Sequence, residues 1–329
     1  MHTNDIRTRA PKREQGIAIV TVLLVVALAA TLAASVLWRQ RVAIRDVENQ
    51  RLTVESMWVE RAAVEWARAT LREQSATSNV TYDGQEWSAP VNDIQLSSFL
   101  PREAIAVNGE LASARISGQV EDAQAKLNLL NLVSRPGPSQ PWQINGDGVL
   151  AYRRLLGGLS LNPALAQSTA AYILRSLSDG TGAGGWPLQL VSVDDLAHVP
   201  GYDARAVQAL SPFVTILPDI TPVNVNTATE PTLVAAIPGL SSSQAHTIVE
   251  RRNTAYFVST AEVEQILSPA QTSTALAPGT LIGVNSSYFI VHCRIRAARI
   301  NTRIDTLIAR YGIGGFSWTS VIWVHRLTS

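Results

Sequence analysis

The chain has 329 residues, of which 46% are hydrophobic and 16% are charged, and its formal net charge is +1. This length accommodates about two domains beyond a membrane anchor, and the near-neutral charge excludes a strong bulk attraction to nucleic acid or to an anionic surface. The lone cysteine, Cys293, excludes an intrachain disulfide. Packing or a metal must therefore stabilise the fold, and we predict that Cys293 is a buried strand residue.

The N-terminus combines a basic leader with a long apolar run. Residues 1–15 carry four lysine or arginine side chains and precede Gly16, whereas residues 17–37 are uncharged. At ~1.5 Å per residue this run forms about 30 Å of helix, which is enough to cross the hydrocarbon core of a bilayer. A secretory signal has its cleavage site after the apolar stretch, whereas here the glycine precedes it. A plain membrane anchor is the alternative.

Residues 12–17, with the sequence KREQGI, resemble the class III leader of type IV prepilins and of type II secretion pseudopilins. The resemblance implies that a prepilin peptidase cuts after Gly16, that Ile17 becomes the methylated N-terminus, and that the apolar helix remains as membrane anchor and assembly stalk. Basic residues flank both ends of the run, so the positive-inside rule favours neither orientation of the helix clearly. The resemblance therefore decides the expected location, a single pass through the bacterial inner membrane with the C-terminal part in the periplasm.

Position 21 departs from most pilins. If cleavage follows Gly16, the fifth mature residue is Thr21, where most pilins carry a glutamate. In those families the glutamate pairs with the N-terminal amine of the subunit directly above, and a buried carboxylate without a partner is costly in lipid. The loss of this glutamate makes the chain similar to the tip subunit of the pseudopilins, which has no subunit above it.

The helical pattern continues beyond the apolar run, because residues 39–73 contain neither glycine nor proline. Apolar residues recur there at intervals of three or four, which predicts a stripe that packs on the domain to which the helix belongs. The stripe comprises Val54, Trp58, Ala62, Trp66 and Ala69.

Alternating apolar and polar residues predict strands on both sides of a helical block. Residues 114–120 predict a first strand, and residues 288–296, 300–309 and 319–327 predict three more strands in an antiparallel meander. A loop at 134–141 that is rich in proline, glycine and serine indicates a domain boundary. Short helices separated by breaker residues follow this loop.

The helical block contains an internal repeat. Residues 195–201 and 233–239 both end in Pro-Gly, and each is followed by another helical segment. The predicted fold class is therefore α+β: an N-terminal transmembrane and stalk helix, a pilin-like antiparallel sheet, and an inserted all-α domain of helix-hairpin-helix-like repeats. The predicted domains are the leader at 1–16, the transmembrane and stalk helix at 17–75, the pilin-like domain at 76–141 and 276–329, and the inserted domain at 142–275.

This architecture resembles the minor pseudopilin K family of the type II secretion system. The resemblance implies a mechanical role at the tip of a periplasmic pseudopilus, which initiates or caps assembly for the export of folded proteins across the outer membrane. It implies that the bulky insertion prevents a further subunit from stacking above. It also implies minor pseudopilins I and J as partners, and no catalytic residues.

A membrane-anchored DNA receptor of the competence type is the alternative function. Residues 224–252 resemble helix-hairpin-helix units, in which a Gly-x-Gly hairpin aims backbone N–H groups at a phosphate. Here Gly239 is present, but Ser241 replaces the second glycine, and its Cβ disfavours the close approach. Residues 224–267 also carry two arginines against four glutamates, whereas a phosphate-binding module should be basic. We therefore expect no nucleic acid partner.

Motifs of enzymes and metal sites receive little support. Residues 180–185 match GxGxxG, but a predicted helix precedes them where a dinucleotide-binding fold needs a strand. No GxSxG, HExxH or CxxC motif occurs, so neither a serine elbow nor zinc catalysis is indicated. Some K pseudopilins bind Ca²⁺ through an aspartate-rich tract, and calcium needs six to eight oxygen ligands. The aspartates here are scattered, so we expect no cofactor and leave a calcium site open; they are Asp147, Asp179, Asp194 and Asp195.

Overall fold

The computed structural model describes residues 15–98, 114–178, 187–267, 276–297, 300–312 and 314–328. A single helix, α1 (Gln15–Thr77), contains the predicted transmembrane and stalk segment. Two structural units divide the chain within this helix. The first ends at Trp58, and the second comprises Val59–Ser329.

An antiparallel sheet of five strands forms the scaffold of the second unit. The strands are β1 (Val91–Gln95), β2 (Arg115–Asp122), β9 (Tyr288–Ala297), β10 (Ile300–Tyr311) and β11 (Trp318–Thr328). Their spatial order is β1-β2-β9-β10-β11, and every neighbouring pair is antiparallel. The four predicted strands are confirmed, with ends that differ by at most two residues.

Strand β1 was not predicted, because its alternation is interrupted. Its register with β2 shifts between Val91 and Ile94, and Asp93 has a φ of 51°. A bulge inserts a residue into one strand and so breaks the period of two on which strand prediction depends.

The C-terminal part of α1 packs on one face of the sheet. Val64, Ala67 and Leu71 are buried against side chains from the inner face. At about 25 cal/mol per Å² of apolar surface, each fully buried leucine or valine contributes about 1.5–3 kcal/mol. The sheet and loop residues in this cluster are Trp87, Val120, Phe289, Val291 and Ile308.

The predicted apolar stripe of α1 is wrong, because it lies on the exposed side of the helix. Trp58 is 65% exposed and Trp66 is 51% exposed, while the buried side runs through Val64, Ala67 and Leu71. The two sides carry similar intervals of three and four residues. The sequence pattern therefore predicted the helix correctly but selected the wrong face, since Val64, Ala67 and Leu71 rather than the tryptophans meet the sheet.

A helical region is inserted between β2 and β9. Its helices alternate with short strand pairs, of which β3 pairs with β6 and β7 pairs with β8 in parallel, while β4 and β5 form an antiparallel hairpin. The helices are α2 (Gly146–Gly158), α3 (Leu165–Leu177), α4 (Ala204–Leu210), α5 (Glu230–Ala236), α6 (Ser242–Thr254) and α7 (Thr260–Leu267). The strands are β3 (Leu127–Asn128), β4 (Val133–Ser134), β5 (Gln143–Ile144), β6 (Val214–Thr215), β7 (Val223–Asn224) and β8 (Ile282–Gly283).

The largest hydrophobic core of the protein lies in this helical region. It begins in the chain at Leu127 and continues through Val263. The loop at 134–141 therefore joins β4 to β5 within the same core. The domain boundary between residues 141 and 142 stays a prediction. In the packing, Leu127, Leu129 and Leu132 belong to the core of the helical region.

Both Pro-Gly repeats form tight turns between helical segments. A 3-10 helix (Val193–His198) precedes Gly201 and α4 follows it, while α5 precedes Gly239 and α6 follows it. Gly201 has a φ of +100° and Gly239 a φ of +77°, a region that residues with a Cβ rarely adopt. The assignment of these turns to the helix-hairpin-helix class stays a prediction.

A buried carboxylate joins the helical region to the sheet. Asp122, at the end of β2, is 3% exposed and accepts hydrogen bonds from the Asn224 amide at 2.9 Å, the Thr227 hydroxyl at 2.6 Å and the Ser286 hydroxyl at 2.6 Å. The backbone N–H of Gln124 donates to its other oxygen at 2.9 Å. Burial raises the pKa of Asp122, whereas these donors oppose the rise because they stabilise the charged form.

A buried arginine extends this network to α1. Arg310 on β10 donates to the Gln74 side chain of α1, to the Thr81 hydroxyl at 2.9 Å and to the Ser286 carbonyl at 2.6 Å. The carbonyl of Thr81 in turn accepts from Asn224 at 3.0 Å. Burial lowers the pKa of Arg310 to about 10, and the Asp122 charge opposes that change. We call Thr81, Asp122, Asn224, Thr227, Ser286 and Arg310 the polar hub.

We predict that Asp122→Ala lowers the free energy of unfolding of the second unit by about 3–5 kcal/mol, as expected when one partner of a buried charged network is removed. The measurement is urea denaturation of the full chain in detergent, followed by tryptophan fluorescence. Asp203→Ala is the matched control, because Asp203 caps α4 at a surface position and its loss should cost only about 1 kcal/mol. Equal losses in the two variants would contradict the role given to the hub.

Candidate assembly site

The predicted processing residues lie at the start of α1. The backbone of Gly16 and Ile17 is helical, and cleavage after Gly16 and methylation of Ile17 stay predictions. Thr21 lies one turn further along and donates its hydroxyl to the Ala18 carbonyl at 2.9 Å. A hydroxyl bonded within its own helix can enter hydrocarbon without an unsatisfied polar group.

Two more hydroxyls of the apolar segment are bonded in the same way. Thr31 donates to the Leu28 carbonyl and Ser35 to the Leu32 carbonyl, both at 2.8 Å. The described residues contain one helix that is long and apolar enough to cross a membrane. Most large apolar side chains between Ile19 and Leu37 are at least half exposed, a surface that needs lipid or protein to cover it.

The stripe of Trp58 and Trp66 is a second exposed apolar surface of α1. Ala62 and Ala69 lie between and beyond them and are exposed as well. Exposed tryptophans at helical spacing are typical of contact surfaces, where aromatic residues are enriched. The tryptophan spacing is the sequence signal for this surface, but the same spacing is equally typical of a core face.

The outer face of the sheet carries a charged cluster around His292. Its Nδ1 lies 2.7 Å from Asp305 Oδ1, its Nε2 lies 2.9 Å from Glu121 Oε2, and Lys126 Nζ lies 2.7 Å from Glu121 Oε1. The bonds to Asp305 and Glu121 raise the pKa of His292 to about 9 against the effect of burial. Burial alone would raise the pKa of Glu121, but His292 and Lys126 lower it to about 2.

This cluster does not form a catalytic site. Both ring nitrogens of His292 are bonded to carboxylates, so neither can activate a hydroxyl or a thiol. The adjacent Cys293 is 3% exposed on the inner face, as predicted, and burial raises the pKa of its thiol to about 11. A buried, protonated thiol is a poor nucleophile.

The Pro-Gly turn that resembles a phosphate-binding hairpin has its serine engaged. Ser241 is the N-cap of α6, where its hydroxyl accepts from the Gln244 N–H and the Gln244 side chain accepts from the Ser241 N–H. This reciprocal capping box stabilises the start of α6. The DNA-receptor alternative receives no support from this turn, and the expected absence of a nucleic acid partner stays a prediction.

The scattered aspartates considered for a calcium site do not converge in the part of the chain that the structure describes. Asp195 accepts backbone N–H bonds from Val191 and Ser192, while Asp147 lies beside Gly279. Among the described residues no group of three or more histidine, cysteine, aspartate or glutamate side chains could hold a metal ion. Asp179 and the GxGxxG sequence at 180–185 lie outside the described residues.

Comparison with known proteins relates these features to one family. Residues 125–219 and 223–285 match two family models, both described as type II secretion system protein K. The type II secretion system protein K of Pseudomonas aeruginosa is 30% identical over 267 residues, which cover 73% of this chain and 72% of that protein. The type II secretion system protein K of Pectobacterium carotovorum is 25% identical over 314 residues, which cover 86% of this chain and 89% of that protein.

A solved structure shares the fold. The crystal structure of the GspK-GspI-GspJ complex of the type 2 secretion system from enterotoxigenic Escherichia coli contains a chain that is similar with a TM-score of 0.63 and 20% sequence identity. The match covers 86% of this chain and 99% of that chain. At this level of identity the similarity concerns the fold, a mixture of helix and sheet with a long N-terminal helix.

The His292 cluster predicts how stability depends on pH. Because the folded state raises the pKa of His292 from 6.5 to about 9, its contribution is complete below pH 6.5 and is lost as the pH rises through about 9. The melting temperature of the full chain in detergent should therefore fall across this window, and His292→Gln should flatten the fall. His325, opposite Asp305 on β11, remains in both proteins. An identical alkaline fall in the variant would contradict the prediction.

Proposed function

This chain belongs to the type II secretion system protein K family of minor pseudopilins, and we propose that it occupies the tip of the pseudopilus and initiates or caps its assembly. In this role it supports the export of folded proteins across the outer membrane. The proposal assigns a mechanical function and no enzymatic activity. It also places the chain in the bacterial inner membrane by α1, with the C-terminal part in the periplasm, after a prepilin peptidase has removed residues 1–16.

The observation that carries the proposal is the chemistry at Thr21. In pilin-like filaments a glutamate at this position pairs with the amine of the subunit above, as the resemblance of the leader implies. Thr21 has no carboxylate to offer to such an amine. Its hydroxyl donates instead to the Ala18 carbonyl of its own helix. A subunit at the tip needs none, and it avoids the cost of a carboxylate in lipid.

We propose minor pseudopilins I and J as the partners. The similar chain from Escherichia coli was solved in a complex with GspI and GspJ. The exposed side chain of Trp66 in the second unit supplies an apolar contact of the kind that obligate interfaces bury. A Trp66→Ala variant should accordingly weaken co-purification with I and J.

The direct test is the position of the chain in the filament. A pseudopilus assembled with an epitope-labelled copy should show gold label at one end of each filament by electron microscopy. Co-purification with labelled I and J should accompany it. Label distributed along the filament would contradict the tip assignment, while membership of the family would stand.

Thr21 generates a further prediction. Thr21→Val removes only a hydroxyl that is bonded within its own helix, so secretion of a reporter exoprotein should stay within about twofold of wild type, because the net worth of one hydrogen bond is about 1 kcal/mol or less here. Thr21→Glu introduces a carboxylate that a tip subunit leaves without the amine of a subunit above, and an unpaired carboxylate is costly in lipid, so secretion should fall. The measurement is the extracellular fraction of the reporter by immunoblot. Full secretion with Thr21→Glu would contradict the account.

A further inference from the structure

The polar half of the outer sheet face carries an excess of positive charge. Six basic side chains project from this region and its margin, against three carboxylates, which gives a local net charge of about +3 when His292 is protonated. The basic residues are Arg115, Lys126, His292, Arg294, Arg296 and Arg303, and the carboxylates are Asp93, Glu121 and Asp305. The whole chain has a net charge of only +1, so the charge is concentrated here.

The three carboxylates are already engaged. Asp93 lies 2.8 Å from Arg115 and 2.7 Å from Arg296, and these two arginines lower the pKa of Asp93. Glu121 and Asp305 hold His292 between them. Asp305 also forms a longer ion pair with Arg303 at 3.7 Å, so no carboxylate in the described part of the face is left to Arg294 or Arg303 alone.

Two further arginines lie on adjacent strands. Arg294 on β9 is the direct cross-strand partner of Arg303 on β10, an arrangement in which like charges are destabilising. Arg294 Nε donates to Asn301 Oδ1 at 3.0 Å, and Arg303 Nε lies 3.7 Å from Asp305 Oδ1, beyond hydrogen-bond distance. Within the described residues neither guanidinium has a hydrogen bond to a carboxylate.

These two arginines line an open groove of about 580 Å³. The sheet forms its floor, and Ser211 and Pro212 from the helical region contribute to its wall. Its volume is that of sites which hold small ligands or short peptide segments. The groove is thus accessible, and its two arginines project from neighbouring strands that lie ~4.8 Å apart.

We propose that Arg294 and Arg303 bind carboxylates of an acidic, extended segment of a partner protein in this groove. Guanidinium groups bind carboxylates bidentately, and two guanidinium groups on adjacent strands can hold side chains spaced along an extended peptide. The carboxylates of this face lie between its basic groups and would repel a ligand that carries one dense polyanionic group. They favour a ligand whose single negative charges are separated along a chain. The proposal does not depend on the position of the chain in the pseudopilus.

The test is binding of a fluorescein-labelled hexaglutamate peptide to the full chain in neutral detergent at low salt, followed by fluorescence anisotropy. Arg294→Ala/Arg303→Ala should weaken binding by at least about tenfold, because charge pairs at interfaces contribute more than 1.4 kcal/mol. The matched control is Arg153→Ala/Arg205→Ala. It removes two exposed arginines from α2 and α4, and binding should stay within about twofold of wild type.

Thermal unfolding separates recognition from a structural role. Because the two like charges oppose each other, Arg303→Ala should keep or raise the melting temperature while it weakens peptide binding. A lower melting temperature with unchanged binding would overturn the proposal. If both double variants weaken peptide binding equally, the binding depends only on the total charge of the protein. That result would overturn the proposal as well.

Two competition experiments identify the ligand class. Inorganic phosphate that displaces the peptide at equal concentration would show an unspecific anion site and overturn the assignment to a protein segment. Binding to phosphatidylglycerol vesicles that requires Arg294 and Arg303, without binding of hexaglutamate, would assign the groove to a lipid surface instead. Binding of hexaglutamate that phosphate does not displace, without binding to the vesicles, supports the proposal.

Discussion

The structure depends on one buried carboxylate. Asp122 ends β2 and accepts hydrogen bonds from Asn224 and Thr227 of the helical region and from Ser286, which lies just before β9. A charge removed from water is tolerated only when it is fully paired. The cost of leaving Asp122 unpaired therefore holds the chain segments of the insertion and the sheet in one arrangement.

This arrangement determines which surfaces remain open. The helical region covers the apolar half of the outer sheet face, where Leu217 packs with Leu307 and Ala309, and the part of α1 from Val59 onward covers the inner face. The basic half of the outer face and the tryptophan side of α1 stay exposed. These exposed surfaces are the ones that the proposed contacts with partner proteins would use.

Local sequence patterns predicted much of the fold and little of the hub. Alternation located β9, β10 and β11, and the absence of breakers located α1, because these signals act over neighbouring residues. The Trp58 and Trp66 stripe was assigned to the wrong face, since periodicity cannot tell a core from a contact surface. The leader together with the large helical insertion predicted the family that the relatives show. The pairing of Asp122 with Asn224 spans 102 residues, and no local pattern reveals such a contact.

The central claim, that the hub makes the insertion and the sheet one cooperative body, is tested most directly by native-state hydrogen exchange of the full chain. Peptides from α2 and from β9 should exchange at low denaturant with the same free energy of opening, close to that of global unfolding. If α2 opens at a free energy lower than β9 by about 2 kcal/mol or more, the insertion unfolds by itself. That result would contradict the account.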